Sequence, residues 1–159
     1  MRYANMESPI GLLTIAGDED GLHCILFHEG NRASGPFPQW QRAGCRIVDE
    51  TIRQLRAYFK KGLTRFDLPL RPEGTPFQLK VWRELEKIPY GDVISYGELA
   101  RRINSPKASR AVGAANGSNP IPIVIPCHRV IGSNGKLTGY GGGLRIKEAL
   151  LQLEGFRLF

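Results

Sequence analysis

Cys127 lies at the end of an apolar, proline-bounded run, Asn119-Pro120-Ile121-Pro122-Ile123-Val124-Ile125-Pro126, and is followed at once by His128, Arg129 and Val130. Those neighbours suit a nucleophile. A thiol attacks as its thiolate, and an adjacent imidazole or cation lowers its pKa from a free value of roughly 8.5. The β-branched residues read as a buried extended segment, while Pro120, Pro122 and Pro126 deny it a regular ladder. A structural thiol at the end of a core strand is the alternative. Glu154 is the second group of interest. It falls in the last turn of a C-terminal helix, where a carboxylate opposes the helix dipole unless a cation or hydrogen-bond donor holds it.

The elements that must position these groups fall into two halves. Residues 10–16 and 22–27 are rich in β-formers, and Asp18-Glu19-Asp20-Gly21 between them supplies a hairpin connection. A polar loop with Gly and Pro covers 28–38. Val48, Ile52, Leu55 and Phe59 then recur at helical spacing until Gly62, and residues 66–70 read as a further strand. Arg71-Pro72-Glu73-Gly74 breaks both periodicities, which places a boundary there and gives domains at 1–72 and 73–159.

In the second half, Thr75 caps a helix with Pro76 at its first position and Gln78 completing a capping box. Phe77, Val81, Leu85 and Ile88 form its buried stripe. Ser95 with Glu98 makes a second box, Leu99 and Ile103 lie one turn apart, and Asn104-Ser105-Pro106 stops that helix and starts another. Two short helices joined by a tight turn resemble a helix-turn-helix. In the second of them, Ala108, Ala111, Val112 and Ala115 follow a packed-face pattern, leaving Lys107, Arg110, Ala114 and Gly117 outward. Small outer residues suit either close helix packing or entry into a narrow minor groove with Arg110 near phosphates; base-specific major-groove reading needs longer polar side chains. The last helix, with Ile146, Ala149, Leu150 and Leu153 on one face, ends at Gly155.

A chain of 159 residues has room for one or two small cores. Its formal charge of +7 favours a polyanionic partner but also suits a merely basic protein. Cys24, Cys45 and Cys127 have no disulfide-framework spacing, and no basic stretch followed by an apolar core opens the chain, so a reducing, cytoplasmic setting is expected. No apolar run approaches the roughly 18 residues of a membrane span. His23, Cys24, His28 and Cys45 are zinc-ligand types, yet consecutive residues 23 and 24 on a strand point to opposite faces, so no metal is expected.

Pro126-Cys127-His128-Arg129-Val130, preceded by Asn119-Pro120, resembles the active-site signature of the O6-alkylguanine-DNA alkyltransferases, the methylated-DNA–protein-cysteine methyltransferases. Ile94-Ser95-Tyr96-Gly97-Glu98-Leu99-Ala100, Ser109-Arg110-Ala111-Val112-Gly113, and Gly139-Tyr140 through Glu154-Gly155 resemble that family in order and spacing. Ser8-Pro9-Ile10-Gly11 and Gly21-Leu22-His23 carry the likeness into the first half. The resemblance implies an α/β (α+β) fold: an N-terminal ribonuclease-H-like small sheet with a helix, then a C-terminal helical winged helix-turn-helix domain holding the site. It implies a monomer that repairs double-stranded DNA by irreversible transfer of the alkyl group from O6-alkylguanine, and from O4-alkylthymine, to Cys127. Each molecule would act once and need no cofactor.

By the same resemblance, Cys127, a water, His128 and Glu154 form a proton relay. Asn119 ties backbone together, Tyr96 helps turn the target phosphate, and Arg110 fills the gap that the flipped base leaves in the stack. Phe77, Tyr96, Gly97, Ser105, Arg110, Ala111, Ala114 and Ser133 would meet DNA. Pro122, Val130, Tyr140 and Gly141 would line the guanine pocket. Some family members carry zinc, but only His23 aligns with that ligand pattern. Two other classes compete: a winged-helix protein that holds a lesion or regulates without chemistry, and a cysteine hydrolase using Cys127 and His128. A nucleophilic cysteine argues against the first, and the basic helix-turn-helix has no role in the second.

Overall fold

In the computed structural model, residues 1–28, 39–137, 140 and 143–156 are described. Most of the polar loop at 28–38 and the pocket-loop residues Gly139 and Gly141 therefore lie outside the described residues. Strands β1 (Arg2–Met6), β2 (Leu13–Asp18), β3 (Gly21–Phe27) and β4 (Gln41–Arg42) form one sheet in the order β3-β2-β1-β4. The expected hairpin joins β2 to β3 with Asp18 opposite Gly21. β2 starts at Leu13 rather than residue 10, because Gly11, at φ 102°, closes a turn by donating its N–H to the Ser8 carbonyl. β1 and β4 had no clear alternation in the sequence. β1 pairs antiparallel with β2, and the two residues of β4 exist as strand only through their parallel pairing with β1.

Helix α1 (Arg46–Phe59) covers this sheet with Val48, Thr51, Gln54, Leu55 and Tyr58 buried. Ile52 and Phe59, expected on the same stripe, are only half-buried. The helix ends at Phe59. Lys61, at φ 62°, takes the left-handed position, its N–H reaching the Tyr58 carbonyl, while the Gly62 N–H reaches that of Ala57. Residues 66–70 do not form the predicted strand; Leu70 makes one bridge to Leu22, and Pro69 and Pro72 have no N–H to extend it.

Helix α2 (Pro76–Leu85) has the complete capping box: the Gln78 N–H donates to Thr75 Oγ1 at 3.1 Å and the Thr75 N–H to Gln78 Oε1 at 2.9 Å. Val81, Trp82 and Leu85 are buried, Phe77 is half-buried, and Ile88 is buried in the turn beyond the helix. β5 (Ile94–Ser95) leads into α3 (Tyr96–Arg102). Only half of its predicted box forms: Ser95 Oγ accepts from the Glu98 N–H, but the Glu98 carboxylate turns to Arg101 and Arg102. Asn104, at φ 59°, makes the tight turn towards α4 (Ser109–Gly117).

α4 buries Val112, Ala115 and Asn116, and Ala111 is exposed rather than packed. Its inner face is rotated because Asn116, a polar residue, is drawn inward by a hydrogen bond to the Cys127 carbonyl at 3.3 Å. A short 3₁₀ turn (Cys127–Arg129) leads into β6 (Val130–Ile131), which pairs parallel with β5. In α5 (Leu144–Leu153), Ile146, Lys147, Leu150 and Leu151 are buried, whereas Ala149 and Leu153 are half-buried. Gly155, at φ 89°, follows the helix as its glycine stop.

One apolar core runs through both halves, from Leu13, Ile15 and Leu22 to Ile121, Val130 and Leu150. Among the described residues, no helix is long and apolar enough to cross a membrane.

Candidate active site

The run before Cys127 is buried as expected but is not extended. The Ile125 N–H folds back to the Ile121 carbonyl at 2.9 Å, and Ile123 takes φ 74°. A β-branched residue avoids that region, at a cost of about 1–2 kcal/mol. Burial offsets the strain: Ile121, Ile123 and Ile125 are at most 1% exposed, and each such side chain contributes roughly 1.5–3 kcal/mol. The prolines that bar a ladder thus produce a packed turn. Asn119 locks it from inside, its Nδ2 donating to the Ile125 carbonyl at 2.8 Å and its Oδ1 accepting from the Ile121 N–H at 2.9 Å. The Ile25 N–H donates to the Pro120 carbonyl at 3.0 Å, so the turn is also tied to β3.

Cys127 leaves this turn buried, 4% exposed. Burial pushes its thiol up, against the pull of the neighbouring Asn119 and Tyr140 side chains and the charge of Lys147. His128 is fully buried, and burial pushes its imidazole down, against the pull of Glu154. At rest the pair is therefore thiol and neutral imidazole. His128 Nε2 lies 2.7 Å from Glu154 Oε2. Burial raises the Glu154 carboxyl, but hydrogen bonds from His128 and Arg129 outweigh it and hold the group at about 2. An ionised carboxylate only accepts, so Nε2 carries the imidazole proton. That leaves Nδ1, buried and without a protein partner among the described residues, as the basic nitrogen.

Arg129 completes the clamp: Nε reaches Glu154 Oε1 at 2.8 Å, Nη2 reaches Oε2 at 3.1 Å, and Nη1 reaches the Ile88 carbonyl at 2.6 Å. The Tyr58 hydroxyl donates to Glu154 Oε2 from α1. The carboxylate at the wrong end of its helix is thus stabilised by a guanidinium, an imidazole and a phenol.

Tyr140 is buried beside Cys127, with its ring centroid 5.9 Å from that of Phe27. Burial, with the charge of Cys127 next, keeps its hydroxyl well above the ordinary phenol range. Pro122 and Val130 are buried in the same region. Gly141 lies outside the described residues.

The other predicted residues lie on and around the helix-turn-helix. Arg110, Ala111 and Ala114 are exposed on α4, and Arg110 makes no hydrogen bond or ion pair among the described residues. Gly97 and Ser105 are half-buried, and Ser133 is exposed in the turn after β6. Tyr96 is half-buried; its ring faces Gly113 of α4 on one side and has Lys147 Nζ 5.8 Å from its centroid.

The two halves of the chain match two parts of one family. Residues 1–72 match the ribonuclease-like domain of 6-O-methylguanine DNA methyltransferase, and residues 76–156 match the DNA binding domain of 6-O-methylguanine DNA methyltransferase. The chain belongs to this family. A Methanosarcina acetivorans methylated-DNA–protein-cysteine methyltransferase is 54% identical over 155 residues, covering 98% of this chain and 99% of that protein. The crystal structure of Mycobacterium tuberculosis OGT in complex with DNA superposes with a TM-score of 0.87 at 48% identity, covering 97% of this chain and 92% of that one. The M. tuberculosis O6-methylguanine methyltransferase gives 0.88 at 49% identity, with 96% and 92% covered.

Within this family site, sequence reasoning missed Tyr58, Arg129 as a clamp on Glu154, Asn116 and Lys147. Arg129 was legible as a cation beside Cys127, but not its target. Lys147 is fully buried, and burial lowers it to about 8, against the pull of Cys127. Its signal was faint: a lysine one position from the apolar stripe of α5.

Proposed function

We propose that this protein repairs duplex DNA by moving the alkyl group of O6-alkylguanine, and of O4-alkylthymine, onto Cys127, once per molecule. The observation that carries this reading is the buried Cys127 thiol beside a neutral imidazole whose Nε2 is committed to an ionised Glu154. It lies on the far side of α4 from an exposed arginine and two exposed alanines.

The target base cannot react while stacked, so it is rotated into the pocket at a cost of a few kcal/mol. Arg110 fills the gap, and Tyr96 steers the phosphate. Ala111 and Ala114 let α4 approach the minor groove, with Phe77, Gly97, Ser105 and Ser133 around it. In the pocket, the Cys127 proton passes through a water to His128 Nδ1, and Glu154 stabilises the imidazolium. Lys147, Asn119 and Tyr140 favour the thiolate as it forms. Sulfur attacks the alkyl carbon as the carbon–O6 bond breaks. Guanine leaves as its anion and takes a proton, with Tyr140 beside Cys127 as a donor to it. The product is a thioether, which has no easy hydrolytic exit. A single turnover follows; the protein acts as a monomer in this reading, and the methyl group comes from the DNA itself, so no cofactor is involved.

The test is to mix the purified protein with duplex DNA containing O6-methylguanine and weigh the intact protein and its peptides. One methyl group on the Cys127 peptide, at one equivalent per protein, is expected. A Cys127→Ala variant should bind the same DNA and gain no methyl. Tight binding without transfer by the unsubstituted protein would favour a lesion-binding protein, and repeated turnover would favour a hydrolase.

A further inference from the structure

Glu154 receives donors from two different halves of the molecule. His128 and Arg129 belong to the turn that carries Cys127. Tyr58 does not: it lies on α1, 96 residues away in sequence, and is 0% exposed. Its ring is packed against Phe59, Phe66 and Tyr90 at centroid distances of 5.3, 5.4 and 6.2 Å, so the direction of its hydroxyl is set by an aromatic cluster. That hydroxyl meets Oε2, the same oxygen that accepts from His128 Nε2.

We infer that Tyr58 is a positioning residue for alkyl transfer, through which the N-terminal half sets the orientation and proton affinity of His128 by way of Glu154. The inference rests on the alkyl-transfer reading of the same site. A carboxylate oxygen that accepts from three donors shares its charge among them. Without the neutral phenol, more of that charge faces Nε2–H, so the imidazole becomes more basic. It also loses part of the frame that fixes its tilt. Arg129 by itself already neutralises Glu154 with two contacts, so a hydroxyl needed only for charge balance would be redundant here.

The groups that bear on this proton affinity come from every surrounding element. Glu154 after α5, Arg129 in the active-site turn and Lys147 from α5 bear on His128 directly, while Tyr58 from α1, Tyr90 after α2 and Tyr140 in the pocket loop bear on Glu154. Tyr58→Phe changes none of these except the hydroxyl itself and keeps the ring in its cluster.

The experiment measures single-turnover methyl transfer to Cys127 across the acid range for four proteins: unsubstituted, Tyr58→Phe, Glu154→Gln, and the double variant. Tyr58→Phe should lower the plateau rate about ten-fold, the scale of one hydrogen bond to a charged group. It should also move the acid limb to higher pH and have little further effect in the Glu154→Gln background. A lower melting temperature with an unmoved acid limb would overturn the inference, as would an equal loss of rate in both backgrounds. No transfer by the unsubstituted protein would overturn the alkyl-transfer reading and this inference with it. Transfer by that protein, with Tyr58→Phe indistinguishable from it, would overturn only the role of Tyr58.

Discussion

The two sides of helix α4 face opposite physical problems. On its inner side, Asn116 holds the Cys127 carbonyl, and just beyond it Glu154, His128 and Arg129 form a closed set of charged and polar partners. On its outer side, Arg110, Ala111 and Ala114 are exposed, and Arg110 is uncommitted among the described residues. Chemistry gains from groups whose geometry is fixed before the substrate arrives, at the cost of burying charge. Docking to a polyanion gains from a cation that meets phosphate only on contact, releasing counterions as it does so. One short helix serves both because its two faces never share a residue.

The sharpest way to break this contrast is Glu154→Ala. It strands Arg129 and His128 in the interior, and a loss of about 3–5 kcal/mol in urea unfolding is expected. A loss below about 1 kcal/mol would mean that the closed set does not hold the turn.

Acid should act on the inner side in the same sense. The folded Glu154 carboxyl lies at about 2 against an ordinary 4.5, so its contribution is full above 4.5 and is lost as pH falls towards 2. Its side chain is 1% exposed, so solvent screens little of an effect on the order of 3 kcal/mol. His128, lowered by burial, adds to the loss, because the unfolded chain takes up that proton first. Lys147 works at the other end of the scale. Folded at about 8 against 10.5, it binds its proton less tightly than the unfolded chain does, so it adds stability as pH rises from 8, opposed above 9 by the Cys24 and Cys127 thiols, which burial pushes up. Urea midpoints across pH check all three, and a flat acid branch would refute the assignment.

The outer side should show the smallest effect on stability and a distinct one on binding. Arg110→Ala is expected to change unfolding by less than about 0.5 kcal/mol. It should weaken DNA binding and reduce the slope of log affinity against log salt by about 0.9. An unchanged slope in a salt titration would remove Arg110 from the phosphate contacts.

How much of this was legible in the sequence depends on the distance over which each feature is decided. The capping box of Thr75 and Gln78 and the glycine stop at Gly155 involve neighbours within one helical turn, and both stand as read. The Ser95 and Glu98 box was read from the same pattern, yet Arg101 and Arg102 compete for the carboxylate and win it. The β-branched residues of the run before Cys127 favour an extended path. Asn119 and the packing of three isoleucines instead drive it into a turn and hold Ile123 at positive φ. Burial of the run was legible; its path was not.

The sequence by itself determined that Cys127, His128 and Arg129 stand together, that a helix ends beneath Glu154, and that a basic helix-turn-helix precedes them, since each follows from adjacency or helical period. Tertiary structure alone decided that Glu154 meets Arg129 as well as His128, that Lys147 turns inward towards Cys127, and that Tyr58 arrives from the other half of the chain. Those meetings depend on which apolar faces are buried against each other, and no local spacing encodes a contact 96 residues long.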